Sequence, residues 1–230
     1  MARGKTIRSG SIVAWRDPVI DYCERTDHRL WSEPVNALTN AAFLIAAAAA
    51  FALWRRRDGA DYSALALIVV TALVGVGSFI FHALATRGAM LLDVVPIAVF
   101  IYSYFLLALR RFFGFGALAA LAATLLFAAG SYGAEASIHG LHGSVGYLPA
   151  LGAMTAFAAL LWKRRRRTAG GLALAALVFA VSLGFRTVDG EVCPAFPLGT
   201  HFLWHLLNAL VLWLLLRTAI LANAQPETRA

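Results

Sequence analysis

Three histidines and an aspartate stand inside apolar stretches of the chain, where ionisable side chains are unfavourable unless they face one another, a cavity or a metal. His82 ends the run GSFIFH, and Asp93 follows shortly after it. His201 and His205 form an HxxxH pair far away in the sequence. Residues four apart lie on one face of an α-helix, so this pair can bind a single ion. The four side chains together predict one metal site within a membrane.

A site with three imidazole ligands leaves one coordination position for water, which is the open arrangement of catalytic zinc. We therefore expect His82, His201 and His205 to bind zinc, although neutral imidazole also suits iron and copper. The HxxxH pair alone is a weak signal, because the same spacing serves hydrogen bonds between helices. His82 and Asp93, at the same predicted depth, favour the metal.

Two further side chains near His82 are predicted to be catalytic. Asp93 has three roles open to it: a fourth ligand, a carboxylate that orients a histidine, or a base that accepts a proton from water. Ser78 precedes His82 by one helical turn and is in position to hydrogen-bond an oxyanion. The alternative for Ser78 is a hydroxyl bonded to the backbone carbonyl four residues earlier.

The composition is typical of a polytopic helical membrane protein and excludes an ordinary soluble domain. Of the 230 residues, 60% are hydrophobic and only 14% are charged, and the mean hydropathy is +0.73. The net charge of +8 could suggest nucleic acid as a partner. However, the basic residues cluster at the ends of apolar runs, at 55–57, 110–111 and 163–167. This pattern is typical of cytoplasmic loops, so no nucleic-acid binding is expected.

Seven apolar runs predict an all-α integral membrane protein, a bundle of seven transmembrane helices. Each run is near the ~20 residues that a helix needs to cross ~30 Å of hydrocarbon, and the sixth is the shortest. The runs cover residues 34–54, 62–84, 89–109, 114–132, 145–162, 171–185 and 200–222. We expect three parts: an extracytoplasmic amino-terminal segment (1–33), the bundle (34–222) and a cytoplasmic tail (223–230).

The distribution of basic residues predicts the orientation of the bundle. Loops after the first, third and fifth runs carry ten Lys or Arg, whereas loops after the second, fourth and sixth carry only Arg87 and Arg186. The amino end should therefore lie outside and the carboxyl end inside. The six Lys and Arg of residues 1–33 argue the other way, but five acids lie among them. In this orientation His82, Asp93 and the HxxxH pair all lie at one depth near the outer leaflet.

This pattern resembles the alkaline ceramidases, which belong to a wider group of seven-span metal-dependent hydrolases that includes the progestin and adiponectin receptors. The motif is Ser-x3-His-x10-Asp in the second and third runs and His-x3-His at the start of the seventh. The resemblance implies an intramembrane zinc amidase that cleaves an N-acyl sphingoid base into a fatty acid and a free sphingoid base. Asp93 would assist proton transfer, and Ser78 would steady the oxyanion.

The amino-terminal segment, with its run DYCE, also resembles the alkaline ceramidases more than the receptors. In that family the acids of this segment bind calcium close to the zinc. One family ligand falls on either of two residues here, because the segment is about two residues shorter. Oxygen ligands suit calcium, and the alternative is a solvated acidic turn. The implied ligands are Asp21, the Tyr22 carbonyl, Glu24, Thr26 or Asp27, and Glu33.

The resemblance also implies a disulfide between Cys23 and Cys193. In the predicted orientation both cysteines face the outer, oxidising side, where a bridge can form. It would tie the calcium segment to the helix that carries two zinc ligands and close a very long loop. Two free thiols are the alternative.

The leading hypothesis is a ceramidase-type hydrolase that acts on ceramide or a ceramide-like membrane lipid. The alternative is a lipid receptor or sensor of the same fold with structural zinc, and the acidic segment favours the enzyme. The fourth to sixth runs are expected to line an acyl-chain cavity, and His139 and His142 to be solvated. A bacterial inner membrane with the site toward the periplasm is expected, with a eukaryotic organelle membrane as the alternative.

Overall fold

The computed structural model describes residues 15–57, 59–138 and 141–223, and in these ranges the chain is almost entirely helical. Two short 3-10 turns, Leu141–Gly143 and Val145–Tyr147, precede the sixth α-helix. His139 and most of the predicted tail lie outside the described residues. The α-helices are α1 (Pro34–Thr39), α2 (Ala41–Arg55), α3 (Tyr62–Leu84), α4 (Arg87–Phe113), α5 (Ala117–Ser137), α6 (Leu148–Leu161), α7 (Arg166–Val192) and α8 (His201–Asn223).

The helix ends follow from local sequence. The Asp61 carboxylate accepts a hydrogen bond from the Ala64 amide at the start of α3, and the Thr86 hydroxyl caps α4 in the same way. α4 ends at Gly114, whose positive φ of 72° an L side chain would disfavour. These capping residues divide the apolar sequence into segments whose helical length is close to the thickness of a bilayer.

Within the described residues, six helices are long and apolar enough to cross a membrane, so the chain is an integral membrane protein by length and composition. α1 and α2 count as one of these, the span Pro34–Arg55. The fifth predicted run is a shorter apolar helix, Val145–Leu161, and seven full spans therefore stay a prediction. The expectation that the sixth run is the shortest was wrong. That run belongs to α7, whose 27 residues continue past the apolar segment because polar residues at its end find buried partners.

Close packing of α3 brings two parts of the chain to the site. A Cβ at Gly77 would overlap the carbonyl oxygen of Leu92, so the missing side chain lets the backbones of α3 and α4 touch. A Cβ at Gly75 would come within 2.9 Å of Phe43. The glycines thus set α3 against both neighbours at the level of Ser78.

The end of the bundle away from Ser78 is rich in basic residues. Arg111 forms two hydrogen bonds with Asp61, of 2.7 and 2.8 Å, and a third with the carbonyl of Ala219. Arg165 donates to the carbonyl of Arg111. The predicted loops of the cytoplasmic side therefore meet at one end of the molecule. Outward-facing leucines such as Leu118, which is 83% exposed, give the sides of the bundle an apolar surface.

Candidate metal centre

The three predicted histidines meet at one point inside the bundle. His82 lies in the last turn of α3, and His201 and His205 lie in the first turns of α8. Each is at most 2% exposed, and one ligand atom from each lies within 4.8 Å of the others. Helices distant in sequence thus bring the trio together, and these residues could hold a metal ion.

Hydrogen bonds fix which nitrogens face the centre. The Nδ1 atom of His82 lies 2.5 Å from a Glu33 oxygen, and the Nδ1 atom of His205 lies 3.0 Å from the Thr39 hydroxyl. Within the described residues, Nε2 of His82 and Nδ1 of His201 are buried without a hydrogen-bond partner. Buried nitrogens are rarely left unpaired. Their convergence fits a metal that accepts neutral imidazole, because a carboxylate orients His82 and a hydroxyl orients His205 from behind.

Glu33 is held between two partners. It forms an ion pair with Arg25 and contacts His82, and all three side chains are almost fully buried. Burial alone would raise the pKa of Glu33, but its hydrogen bonds and its attraction to His82 and Arg25 hold that pKa below the ordinary value. Its second oxygen also accepts from the Asn36 amide. The predicted calcium ligand therefore acts in the structure as the support of a histidine.

Arg25 was not predicted from the sequence, yet it closes this network. Besides Glu33, it donates to the backbone carbonyls of His82 at 2.9 Å, Asp27 at 3.2 Å and Arg29 at 3.1 Å. It is only 3% exposed. An arginine in a segment with many polar residues gives no sequence signal of such burial.

The other predicted calcium ligands have protein partners. Glu24 accepts from the backbone amides of Val35 and Asn36 at the start of α1. Asp27 accepts from Ser32 and from the backbone amide of Arg29, and the Ser32 hydrogen bond is the main reason that its pKa is lowered.

The remaining predicted calcium positions lie nearby in the segment. The Tyr22 carbonyl accepts from the Arg25 amide, and Asp21 and Thr26 are exposed. In the part of the chain that the structure describes, the histidine trio is the one group of His, Cys, Asp or Glu ligand atoms close enough to share an ion. The calcium site stays a prediction.

Asp93 and Ser78 lie side by side next to His82. The Ser78 hydroxyl lies within hydrogen-bonding reach of the Asp93 carboxylate, and His82 and Arg186 are also neighbours of that carboxylate. The Oδ1 atom of Asp93 is buried and has no partner among the described residues. The predicted alternative for Ser78, a hydroxyl bonded back to its own helix, stays open. This pair offers a carboxylate oxygen near the trio that is free to accept a proton.

A disulfide joins Cys23 to Cys193, 170 residues apart in the sequence, as the resemblance implied. Asp189, which the sequence reasoning missed, reinforces this link. Its buried carboxylate accepts from the backbone amides of Cys23 at 3.1 Å, Thr200 at 2.6 Å and His201 at 2.8 Å. An acid just before a cysteine, at the end of an apolar run, was the available signal.

Aromatic rings pack around the trio. The ring of Tyr22 stacks on His201 with centroids 3.7 Å apart, and burial is the main reason that the pKa of its phenol is raised, so it stays protonated. Arg186, which was counted as a loop residue, lies in α7 with its guanidinium 5.4 Å from the Tyr147 ring and 5.7 Å from the Trp204 ring.

An apolar slot begins one helical turn beyond the site on two helices. Ile97 follows Asp93 by one turn of α4, and Asn208 follows His205 by one turn of α8. The slot encloses about 60 Å³ of free volume between residues of α4 to α8. Its walls include Phe100, Phe105, Phe127, Met154 and Leu212.

Comparison with known proteins agrees with this arrangement. The Ceramidase family model matches residues 17–230, a range that contains the trio, Asp93, Ser78 and both cysteines. Comparison with curated proteins gives no match. The family implies a hydrolase, and its name together with the apolar helices fits a lipid substrate in a membrane. Because the match covers nearly the whole sequence, this chain belongs to the ceramidase family.

Proposed function

We propose that this chain is an intramembrane zinc-dependent amidase that hydrolyses ceramide or a ceramide-like N-acyl lipid. The products would be a free fatty acid and a sphingoid base. The observation that carries the proposal is the position of an Asp93 oxygen, unpartnered among the described residues, next to three buried histidines, two of which have a ring nitrogen without a partner there. Metal-assisted hydrolysis of an amide uses both elements: a Lewis acid at the carbonyl and a group that moves protons.

His82, His201 and His205 would hold the zinc, which when bound polarises a carbonyl and lowers the pKa of a coordinated water. The role of the protein is to fix the ligands. Glu33 and Thr39 hold two imidazoles from behind, so that little reorganisation is needed on binding.

Asp93 would act as the proton carrier of the reaction. It accepts a proton from the attacking water as the new carbon–oxygen bond forms, and it returns a proton to the amine nitrogen as the carbon–nitrogen bond breaks. The Ser78 hydrogen bond supports this role because it fixes the orientation of the carboxylate. In the same position, Ser78 can turn its hydroxyl toward the developing oxyanion.

The apolar slot would receive the acyl chain. It begins about one helical turn beyond the trio and is lined by aromatic and aliphatic side chains, which favour a hydrocarbon over water. The slot also uses the helices that bear no catalytic residue, which supports the expectation that they line an acyl-chain cavity.

We further propose that the site faces the extracytoplasmic side of a bacterial inner membrane, with the amino-terminal segment outside and the carboxyl end inside. The disulfide supports this side, because such bonds persist in oxidising compartments. A calcium ion bound by the acidic segment would stabilise the position of Glu33, the residue that supports His82. Glu33 could bind this calcium ion only with those carboxylate lone pairs that its contacts with Arg25, His82 and Asn36 leave free.

The test is metal analysis of the purified protein together with fatty-acid release from a panel of ceramides. We expect about one zinc per chain and turnover, both lost in His82→Ala. His28→Ala, which changes an exposed histidine of the same segment, is the matched control and should retain both. Zinc without turnover of any N-acyl lipid would contradict the amidase and favour the receptor alternative.

A further inference from the structure

Asn208 is the polar side chain in the apolar slot that lacks a partner. It is 5% exposed, and within the described residues its amide makes no hydrogen bond. The other two polar residues of the slot are satisfied. Tyr104 donates to the carbonyl of Leu215 at 3.1 Å, and Tyr147 hydrogen-bonds Arg186. The side chain of Asn208 lines the slot, and an amide that faces an apolar slot without a partner is unfavourable, so this one calls for a ligand.

The position of Asn208 determines which part of a bound lipid it can contact. It follows His205 by three residues, so it lies on a neighbouring face and about 4.5 Å further along α8. The carbonyl carbon of a lipid amide at the trio carries the acyl chain directly. The first carbons of an acyl chain that enters the slot therefore pass Asn208.

We propose that Asn208 recognises a hydroxyl group on the first carbons of the acyl chain, so that the preferred substrates are N-acyl lipids with a hydroxylated fatty acid. This inference rests on the proposed hydrolase function and adds a substrate class to it. An amide suits a hydroxyl because it offers both a donor and an acceptor, and a hydroxyl can use either. An acyl chain without the hydroxyl leaves the amide unpaired in an apolar slot, which disfavours it.

Substrate competition tests this directly. The probes are N-palmitoyl sphingosine and its α-hydroxypalmitoyl and β-hydroxypalmitoyl counterparts. For the wild type we expect kcat/KM to be roughly tenfold higher for a hydroxylated lipid. In Asn208→Leu the ratio should fall close to one. Thr218→Val removes a buried hydroxyl from the same helix outside the slot, and it should keep the wild-type ratio.

Two outcomes would overturn the proposal. One is an equal ratio in the wild type and Asn208→Leu. The other is a preference only for N-palmitoyl phytosphingosine, whose additional hydroxyl is on the base.

Exchanging the residues at positions 208 and 212 makes the test sharper. Leu212 also lines the slot one turn further, so Asn208→Leu combined with Leu212→Asn moves the amide about 6 Å deeper. The preference should then move to a hydroxyl further from the carboxyl end.

A second readout does not depend on hydrolysis. α-Hydroxypalmitic acid should raise the Tm of the wild-type protein in detergent more than palmitic acid does, and Asn208→Leu should abolish the difference. If no N-acyl lipid is cleaved but this difference persists, the proposed hydrolase fails and the hydroxyl site stands. If lipids are cleaved but the two acids act alike, the hydroxyl site fails alone. Should Asn208→Leu not fold, Asn208→Thr replaces it, and a wild type that does not distinguish the acids already contradicts the proposal.

Discussion

Asp61 at one end of the bundle and Glu33 at the other both pair with an arginine, but the two pairs have different surroundings. The Asp61–Arg111 pair is closed, because both carboxylate oxygens accept from the guanidinium and the arginine also caps a carbonyl of α8. Glu33 shares its carboxylate between Arg25 and His82, whose other ring nitrogen has no partner in the described part of the chain. The Asp61–Arg111 pair holds helices together, whereas Glu33 orients His82 for metal binding.

The largest effect should come from removing a ligand at the site end. His205→Ala is expected to abolish zinc binding and to lower kcat/KM at least about a thousandfold, because the Lewis acid is lost. Metal analysis and fatty-acid release measure the two effects. Full zinc stoichiometry in this variant would refute its assignment as a ligand and weaken the contrast between the two ends.

The next effect separates metal binding from proton transfer. Asp93→Asn should keep the zinc but lower kcat by about 10²- to 10⁴-fold, since an amide cannot accept the proton. Ser78→Ala should have a smaller effect on kcat, because the serine only orients the carboxylate and the oxyanion. Unchanged turnover in Asp93→Asn would remove its catalytic role.

The two carboxylates can be compared by matched substitutions. Glu33→Gln should weaken zinc affinity about 10- to 100-fold, because it removes the charge that supports His82. Asp61→Asn should lower the Tm but leave zinc affinity unaltered, because its pair lies at the opposite end. Zinc titration and thermal unfolding of both variants distinguish the roles. Equal zinc affinities in the two variants would break the comparison.

The smallest effect concerns the acid sensitivity of the amino-terminal segment. The pKa of Asp27 is lowered in the folded state, so its contribution to stability is present above the pKa of the unfolded chain and is lost as the pH falls through the folded value. In Asp27→Asn this part of the decrease in Tm, below about pH 4, should disappear. Identical Tm profiles of the two proteins between about pH 3 and about pH 6 would contradict the assignment of this acid sensitivity to Asp27.

The trio and its neighbour Asp93 could be predicted because polar residues are conspicuous in an apolar background and must find one another. The same reasoning did not extend to Arg25, Asp189 and the contact of Glu33 with His82. These residues come from polar segments or helix ends, where solvation is an equally good alternative and sequence spacing does not indicate a partner. Asn208 carried the same signal as the histidines, a polar side chain in an apolar run, and could have been found by it.

The lengths of several helices differ from those of the predicted apolar runs. A helix ends where its backbone loses partners, and hydropathy records only the apolar part. α7 continues through Arg186 and Asp189, because aromatic rings and backbone amides receive these side chains. The fifth run became the shorter apolar helix Val145–Leu161, whose first residues form a 3-10 turn that the apolar composition does not encode.

The link between residues 23 and 193 also bears on how the protein is made. Two of the three histidines lie in α8, the last helix, and Asp189 holds the start of that helix to the segment that begins the chain. During synthesis the amino-terminal segment and α3 leave the ribosome long before α8 exists. An incomplete chain in the membrane therefore has one histidine of the trio, so the lipid around it is not exposed to a partly built hydrolase.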